Sequence, residues 1–190
     1  PDLKSNHEIL AFLSSYADLG YFSTVIFIAV GTVLTLVVQS SSAAMALTLV
    51  MCYEGWIPFE LAAAMVLGEN IGTTITANLA ALVGNVHAKR AAAAHFVFNI
   101  FGVIWMFLVF PFFIHGIGWY MNTYMDMHPF GSDALYNPEH IPIALSIFHS
   151  SFNILNVILL IGFVPFIAKT VERLIKSKGD DEDFTLEFIG

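Results

Sequence analysis

The sequence predicts an all-α integral membrane chain with a re-entrant helical hairpin, a broken helix and two further spanning helices. Three observations carry this. Of 190 residues, 57% are hydrophobic and 12% charged, with a mean hydropathy of +0.76, against roughly 45 to 50% and 25% in a soluble domain. The apolar residues gather into long blocks, not into a stripe with a charged reverse face. Two of those blocks are interrupted by polar runs, residues 39–42 and 68–74. An ordinary soluble enzyme is excluded by that composition. The formal charge of -8, from 15 acids against 7 Lys and Arg, lacks the basic stripe of a nucleic-acid binder. The single Cys52 excludes a disulfide framework within the chain, and no Cys/His spacing suggests zinc.

In chain order, residues 1–20 mix Leu3, Ile9, Leu10, Phe12 and Leu13 with Asp2, Lys4, Glu8 and Asp18, which reads as an amphipathic interfacial segment. They lack the basic, apolar, small-residue order of a signal peptide, and with Pro1 in first place the chain reads as a segment of a longer protein. An apolar stretch over 21–38 is followed by Gln39-Ser40-Ser41-Ser42, then by a second apolar stretch over 43–53. That second arm reaches only about 16 to 20 Å as a helix, short of a hydrocarbon core about 30 Å thick. Residues 21–53 are therefore expected to enter, turn near mid-membrane and leave on the same face beside Trp56. Polar backbone at such depth is tolerated only where protein or a water-filled cavity covers it.

Residues 58–84 are long enough to span but contain Gly68-Glu69-Asn70-Ile71-Gly72-Thr73-Thr74, which predicts a broken helix. A spanning helix is expected over 91–114, with Pro111 a potential kink site. Residues 115–141 are polar and turn-rich, 142–168 form the last span, and 169–190 a charged tail or linker. Lys and Arg concentrate on the cytoplasmic side of membrane proteins. Lys89 and Arg90 lie in one loop and Lys169, Arg173, Lys176 and Lys178 two spans later, so both should be cytoplasmic. The loop over 115–141, which has neither Lys nor Arg, and the hairpin mouth at Trp56 are then external, with Trp119, Tyr120 and Tyr124 in an outer aromatic belt.

The paired interruptions carry the chemistry. Short or Gly-interrupted hydrophobic segments point to a transporter site, because broken helices offer free N–H groups to an anion and free C=O groups to a cation. A helix N-terminus binds phosphate, sulfate or carboxylate without a cationic side chain. Ser40, Ser41, Ser42, Thr73 and Thr74 add hydroxyls that donate to an oxyanion or turn lone pairs to a hard cation such as sodium. The plainer alternative is that these hydroxyls bond backward within helices. His95-x-x-x-Asn99 recurs as His149-x-x-x-Asn153, each pair on one helix face. Interhelical hydrogen bonding is the expected role of these four, ahead of substrate contact; too few ligands are present for a metal.

Gln39-Ser40-Ser41-Ser42-Ala43 followed by Leu67-Gly68-Glu69-Asn70-Ile71-Gly72-Thr73-Thr74-Ile75-Thr76 resembles the paired signature of the type II sodium/phosphate cotransporter family. The likeness continues through Lys89, Arg90 and His95-Phe96-Val97-Phe98-Asn99, covering roughly residues 25–168. It implies two inverted repeats whose hairpins and broken helices meet at a central site, with residues 21–168 as one transport repeat. This chain is most similar to the second repeat of bacterial members, ahead of a PhoU-like cytoplasmic domain. By this resemblance Gln39, Ser40, Ser41, Ser42, Thr73 and Thr74 would bind phosphate, and Gln39, Ser41, Asn70 and Thr73 sodium as the coupling ion, with Glu69 joining them on its own chemistry. No other cofactor is implied. Glu69 departs from the family pattern, which more often has a small uncharged residue there. An ionisable group at membrane depth marks a functional site; this one suits a cation or a coupled proton and would repel an anion.

The expectation is sodium-coupled secondary transport of inorganic phosphate across the plasma membrane, a bacterial inner membrane, with this chain supplying half of the site. The alternatives are a sensor or scaffold that keeps the transporter fold, and transport of another oxyanion. An intramembrane serine hydrolase is disfavoured, since no Gly-x-Ser-x-Gly elbow occurs.

Overall fold

The structure, a computed structural model, describes residues 20–130 and 136–177. The interfacial segment expected over residues 1–20, Gly20 excepted, and the tail from residue 178 lie outside the described residues. Among the described residues six α-helices are seen: α1 Tyr21–Val38, α2 Ser41–Tyr53, α3 Phe59–Ala81, α4 Val86–Met125, α5 Ile141–Leu160 and α6 Val164–Leu174. Three stretches of them, Tyr21–Val38, Val86–Met125 and Pro138–Leu174, are long and apolar enough to cross a membrane. This is a multi-pass, all-α membrane chain.

Gln39 ends α1 in the left-handed conformation, φ 56°, with its N–H donating to the Thr35 carbonyl at 2.8 Å. Ser40 then starts α2, its hydroxyl accepting from the Ala43 N–H at 3.3 Å. Such a cap satisfies one of the orphan donors of a first helical turn. The polar run thus makes the turn that joins two apolar helices.

α3 is the central element. From Leu61 to Glu69 every residue is buried, as expected of a helix that is apolar on all sides. α1 crosses it closely. A Cβ at Gly31 would collide with the Met65 carbonyl, one at Gly68 with the Ile28 carbonyl, and one at Gly72 would stand 2.7 Å from Thr35 Cβ. Thr32 strengthens the crossing by donating to the Gly68 carbonyl at 3.0 Å. The predicted break in this helix is therefore corrected: α3 runs unbroken from Phe59 to Ala81. Its two glycines serve close helix approach, and its polar side chains turn back on their own helix without interrupting it.

α4 is longer than expected. It passes through Pro111 and reaches Met125, about 60 Å at 1.5 Å per residue, so the first part of the supposed loop over 115–141 is helical. The last span differs too: α5 ends at Leu160, a 3-10 turn covers Ile161–Phe163, and α6 is a separate short helix. Aromatic side chains join α4 to α5, with Phe110 and Phe113 both edge-on to Phe148 at 6.0 and 5.8 Å. Beside the hairpin mouth, Phe59 at the start of α3 stacks at 4.9 Å on Phe130, which follows α4. At the opposite end, Arg90 Nε donates to the Ile175 carbonyl at 3.0 Å, which brings the two basic segments together. Phe101, Ile104, Leu108 and Phe112 form an exposed apolar row along α4, suited to lipid.

Candidate functional site

A cavity of about 420 Å³ opens where the start of α2, the middle of α3 and α5 converge. Ser41, Ser42 and Met45 line it from α2, Val66, Glu69, Asn70 and Thr73 from α3, and His149 from α5. The sequence placed the two polar runs in separate segments, and the fold brings them face to face.

The two walls differ chemically. On α3, Asn70 Nδ2 donates to the Val66 carbonyl at 3.0 Å and the Thr73 hydroxyl donates to the Glu69 carbonyl at 2.8 Å. These bonds use the Thr73 hydroxyl proton and one of the two Asn70 N–H donors, leaving Asn70 Oδ1 and the lone pairs of Thr73 Oγ1 as acceptors beside one remaining Asn70 N–H. Glu69 is 3% exposed; its Oε1 accepts from the Thr48 hydroxyl at 2.6 Å, and its Oε2 has no protein partner. A carboxylate oxygen buried without a partner is costly unless a cation or a proton completes it. On α2, by contrast, Ser41 and Ser42 occupy the first two helical positions, where backbone N–H groups have no intrahelical acceptor and the helix dipole is positive. Their hydroxyls add further donors.

Not every expected residue borders this space. Gln39 and Ser40 are exposed at the hairpin turn, just outside the lining. Thr74 is fully buried and its hydroxyl donates to the Ile71 carbonyl at 2.7 Å. The expected interhelical lock through His95, Asn99, His149 and Asn153 is corrected. Asn99 donates to the His95 carbonyl at 3.1 Å and Asn153 to the His149 carbonyl at 2.8 Å, each within its own helix. Other polar groups tie the helices together. Trp105 Nε1 donates to Asn156 Oδ1 at 3.0 Å between α4 and α5, and Asn78 Nδ2 to the Ala92 carbonyl at 2.9 Å between α3 and α4. His95 borders a separate, apolar cavity with Phe98 and Ile167.

Sequence reasoning missed Thr48 and Asn156. Both signals were present: Thr48 follows Ser41 by seven residues, and Asn156 follows His149 by seven, which places each pair on one helix face.

A family model described as Na+/Pi-cotransporter matches residues 19–121. The chain belongs to the sodium/phosphate cotransporter family. The match covers α1 to α3 and most of α4, hence every residue of the cavity except His149. Among individual cotransporter relatives, the mouse sodium-dependent phosphate transport protein 2C is 40% identical over 94 residues, 47% of this chain and 16% of that protein. The sheep sodium-dependent phosphate transport protein 2A is 43% identical over 89 residues, 45% of this chain and 13% of that protein. Bacillus subtilis YqeW is 44% identical over 89 residues, 47% of this chain and 28% of that protein. The chain therefore spans less than a third of the length of these relatives. No solved structure matches it.

Proposed function

We propose that this chain forms one half of a sodium-coupled transporter of inorganic phosphate, with both ligands bound in the cavity between α2 and α3. The observation that carries the reading is the division of the cavity walls. Donors, the hydroxyls of Ser41 and Ser42 and the first N–H groups of α2, face the anion. Acceptors, Glu69 Oε2, Asn70 Oδ1 and Thr73 Oγ1, face sodium, a hard cation that takes oxygen ligands. Glu69 thereby finds a role at an anion transporter: it binds the coupling ion, whose positive charge offsets its repulsion of phosphate. In this reading Gln39, at the turn beside the cavity, serves both ligands, and Ser40 caps the helix that binds phosphate.

The geometry of the hairpin favours the re-entrant reading. Thr35 packs at Gly72 and the Ser41 end of α2 meets Thr73, so the turn stops about 12 Å short of the end of α3 at 1.5 Å per residue. The exposed Gln39 and Ser40 need cover at that depth, and a second, inverted repeat with the same motif would supply it. The basic end of the molecule, with Lys89, Arg90 and the segment after α6, is assigned to the cytoplasm by its charge, where a PhoU-like domain would follow. The plasma membrane is the site of action in this reading.

Uptake of labelled phosphate into proteoliposomes containing the full-length protein, with and without an inward sodium gradient, tests the proposal. Sodium-dependent accumulation is expected. Phosphate binding without any sodium-driven uptake would favour a sensor that kept the fold.

A further inference from the structure

At the basic end of the molecule an apolar groove of about 660 Å³ runs between the end of α3, the start of α4 and α6. Lys89 stands in its lining, and Ala93, Phe96 and Val97 follow on the same face of α4, with Leu79 of α3 and Leu174 of α6 forming the other walls. Spacings of four, seven and eight residues stack these α4 side chains in one column. Val97 lies about 12 Å further along the helix than Lys89.

The length of α4 gives the depth of this column. From Arg90 to Trp119 the helix advances roughly 44 Å at 1.5 Å per residue, the thickness of a bilayer including both headgroup layers, about 40 to 45 Å. Trp119, Tyr120 and Tyr124 are exposed at the far end, where interfacial aromatic residues sit. Lys89 thus stands among headgroups and the groove beyond it at acyl-chain depth. Among the described residues no carboxylate is ion-paired with Lys89. Arg90 holds the Ile175 carbonyl beside it, and Arg173 and Lys176 are exposed on the neighbouring segment, against the single acid Glu172 of α6.

We propose that this groove binds an anionic phospholipid, an acyl chain lying along Ala93, Phe96 and Val97 and the phosphate meeting Lys89. Hydrocarbon alone fills the groove with any lipid; the unpaired lysine at headgroup depth selects a negative one. Attraction of a basic residue to anionic lipid is worth roughly fivefold in binding per residue. The site lies apart from the cavity between α2 and α3, and requires only that the chain spans a membrane.

Native mass spectrometry of the full-length protein, released from nanodiscs of equal phosphatidylglycerol and phosphatidylcholine, reads the retained lipid directly. Phosphatidylglycerol should be retained at least fivefold over phosphatidylcholine. Lys89→Gln should abolish most of that preference and Lys89→Arg should keep it, while Ala93→Phe, which fills the groove, should lower retention of both lipids. Thermal unfolding of the Lys89 variants near the wild-type midpoint separates lost binding from lost fold. Equal retention of the two lipids by the wild type would overturn the proposal, as would a preference untouched by Lys89→Gln or a total lipid retention untouched by Ala93→Phe.

Discussion

Glu69 divides its carboxylate between the protein and the cavity. Thr48 holds one oxygen at 2.6 Å and the other has no protein partner, which is the place the proposed reading gives to sodium. If sodium fills that place, Glu69→Gln should raise the sodium concentration for half-maximal uptake by about ten- to a hundredfold. This is the value of a hydrogen bond or contact to a charged group, about 1.5 to 3 kcal/mol. The phosphate dependence at saturating sodium should move far less. An unchanged sodium titration in the Gln variant would remove Glu69 from the site. Thr48→Val should give a weaker version of the same shift and also lower stability by about 1 to 3 kcal/mol, since Oε1 would be left buried and unpaired. The two walls make a further distinction possible. Ser41→Ala should raise the half-saturating phosphate concentration and Asn70→Ala that of sodium, as measured by uptake at matched membrane abundance; the reverse pattern would invert the assignment of the walls. Glu69, Asn70 and the serines were legible in the sequence because polar residues in apolar blocks are conspicuous. Thr48 carried only the weak signal of its seven-residue spacing from Ser41, because a single Thr within 43–53 looks like any helical hydroxyl until the fold sets it against a carboxylate.

Among the elements, α3 shows how one residue type can carry two meanings. Gly68 and Gly72 beside Asn70, Thr73 and Thr74 read as a helix break, since glycine destabilises a helix interior by about 0.5 to 1 kcal/mol relative to alanine. The α1 backbone at Ile28 and Thr32 occupies the space a side chain would take, and this tertiary contact outweighs the local preference. Gly68→Ala should therefore destabilise the protein by at least the roughly 1 to 3 kcal/mol typical of overpacking, visible as a lower thermal midpoint and reduced membrane abundance. Gly116→Ala is the control: nothing lies within 4 Å of the added Cβ in α4, so its midpoint should hold or rise. Equal effects at the two positions would mean that propensity, not contact, governs them. The turn between α1 and α2 was legible, by comparison, because a polar run between two apolar stretches marks it, and the expectation that the pair re-enters rests on length. A 13-residue α2 spans about 20 Å, whatever it packs against. The extension of α4 to Met125 was hidden by polar and glycine residues in its last turns, which composition assigns to loop.

For the molecule as a whole, charge and length give an expected topology, and two contacts bear on it. The α2–α3 turn shares a cavity with Pro129, Phe130 and Tyr136, while Arg90 meets Ile175 at the other end. Single cysteines at positions 55 and 130, with Cys52 replaced by Ser, should accordingly react with an impermeant maleimide from one side of the membrane and a cysteine at 88 from the other. Opposite sidedness for 55 and 130 would rule out a hairpin that returns to its own face. That topology leaves Gln39, Ser40, Ser41 and Ser42 exposed, although polar groups without partners in hydrocarbon cost several kcal/mol each. A second hairpin and crossing helix in inverted orientation would cover them, and alternating access requires such a second half to move against. Two copies of this chain cannot supply it easily, because Lys89 and Arg90, with Lys169, Arg173, Lys176 and Lys178, favour one orientation in the membrane. Residues 1–190 expressed alone should therefore fail to accumulate phosphate in proteoliposomes and regain sodium-dependent uptake when co-expressed with the complementary half of the full-length protein. Sodium-driven uptake by the purified 190-residue chain would overturn the half-site reading and require a dimer of opposed copies.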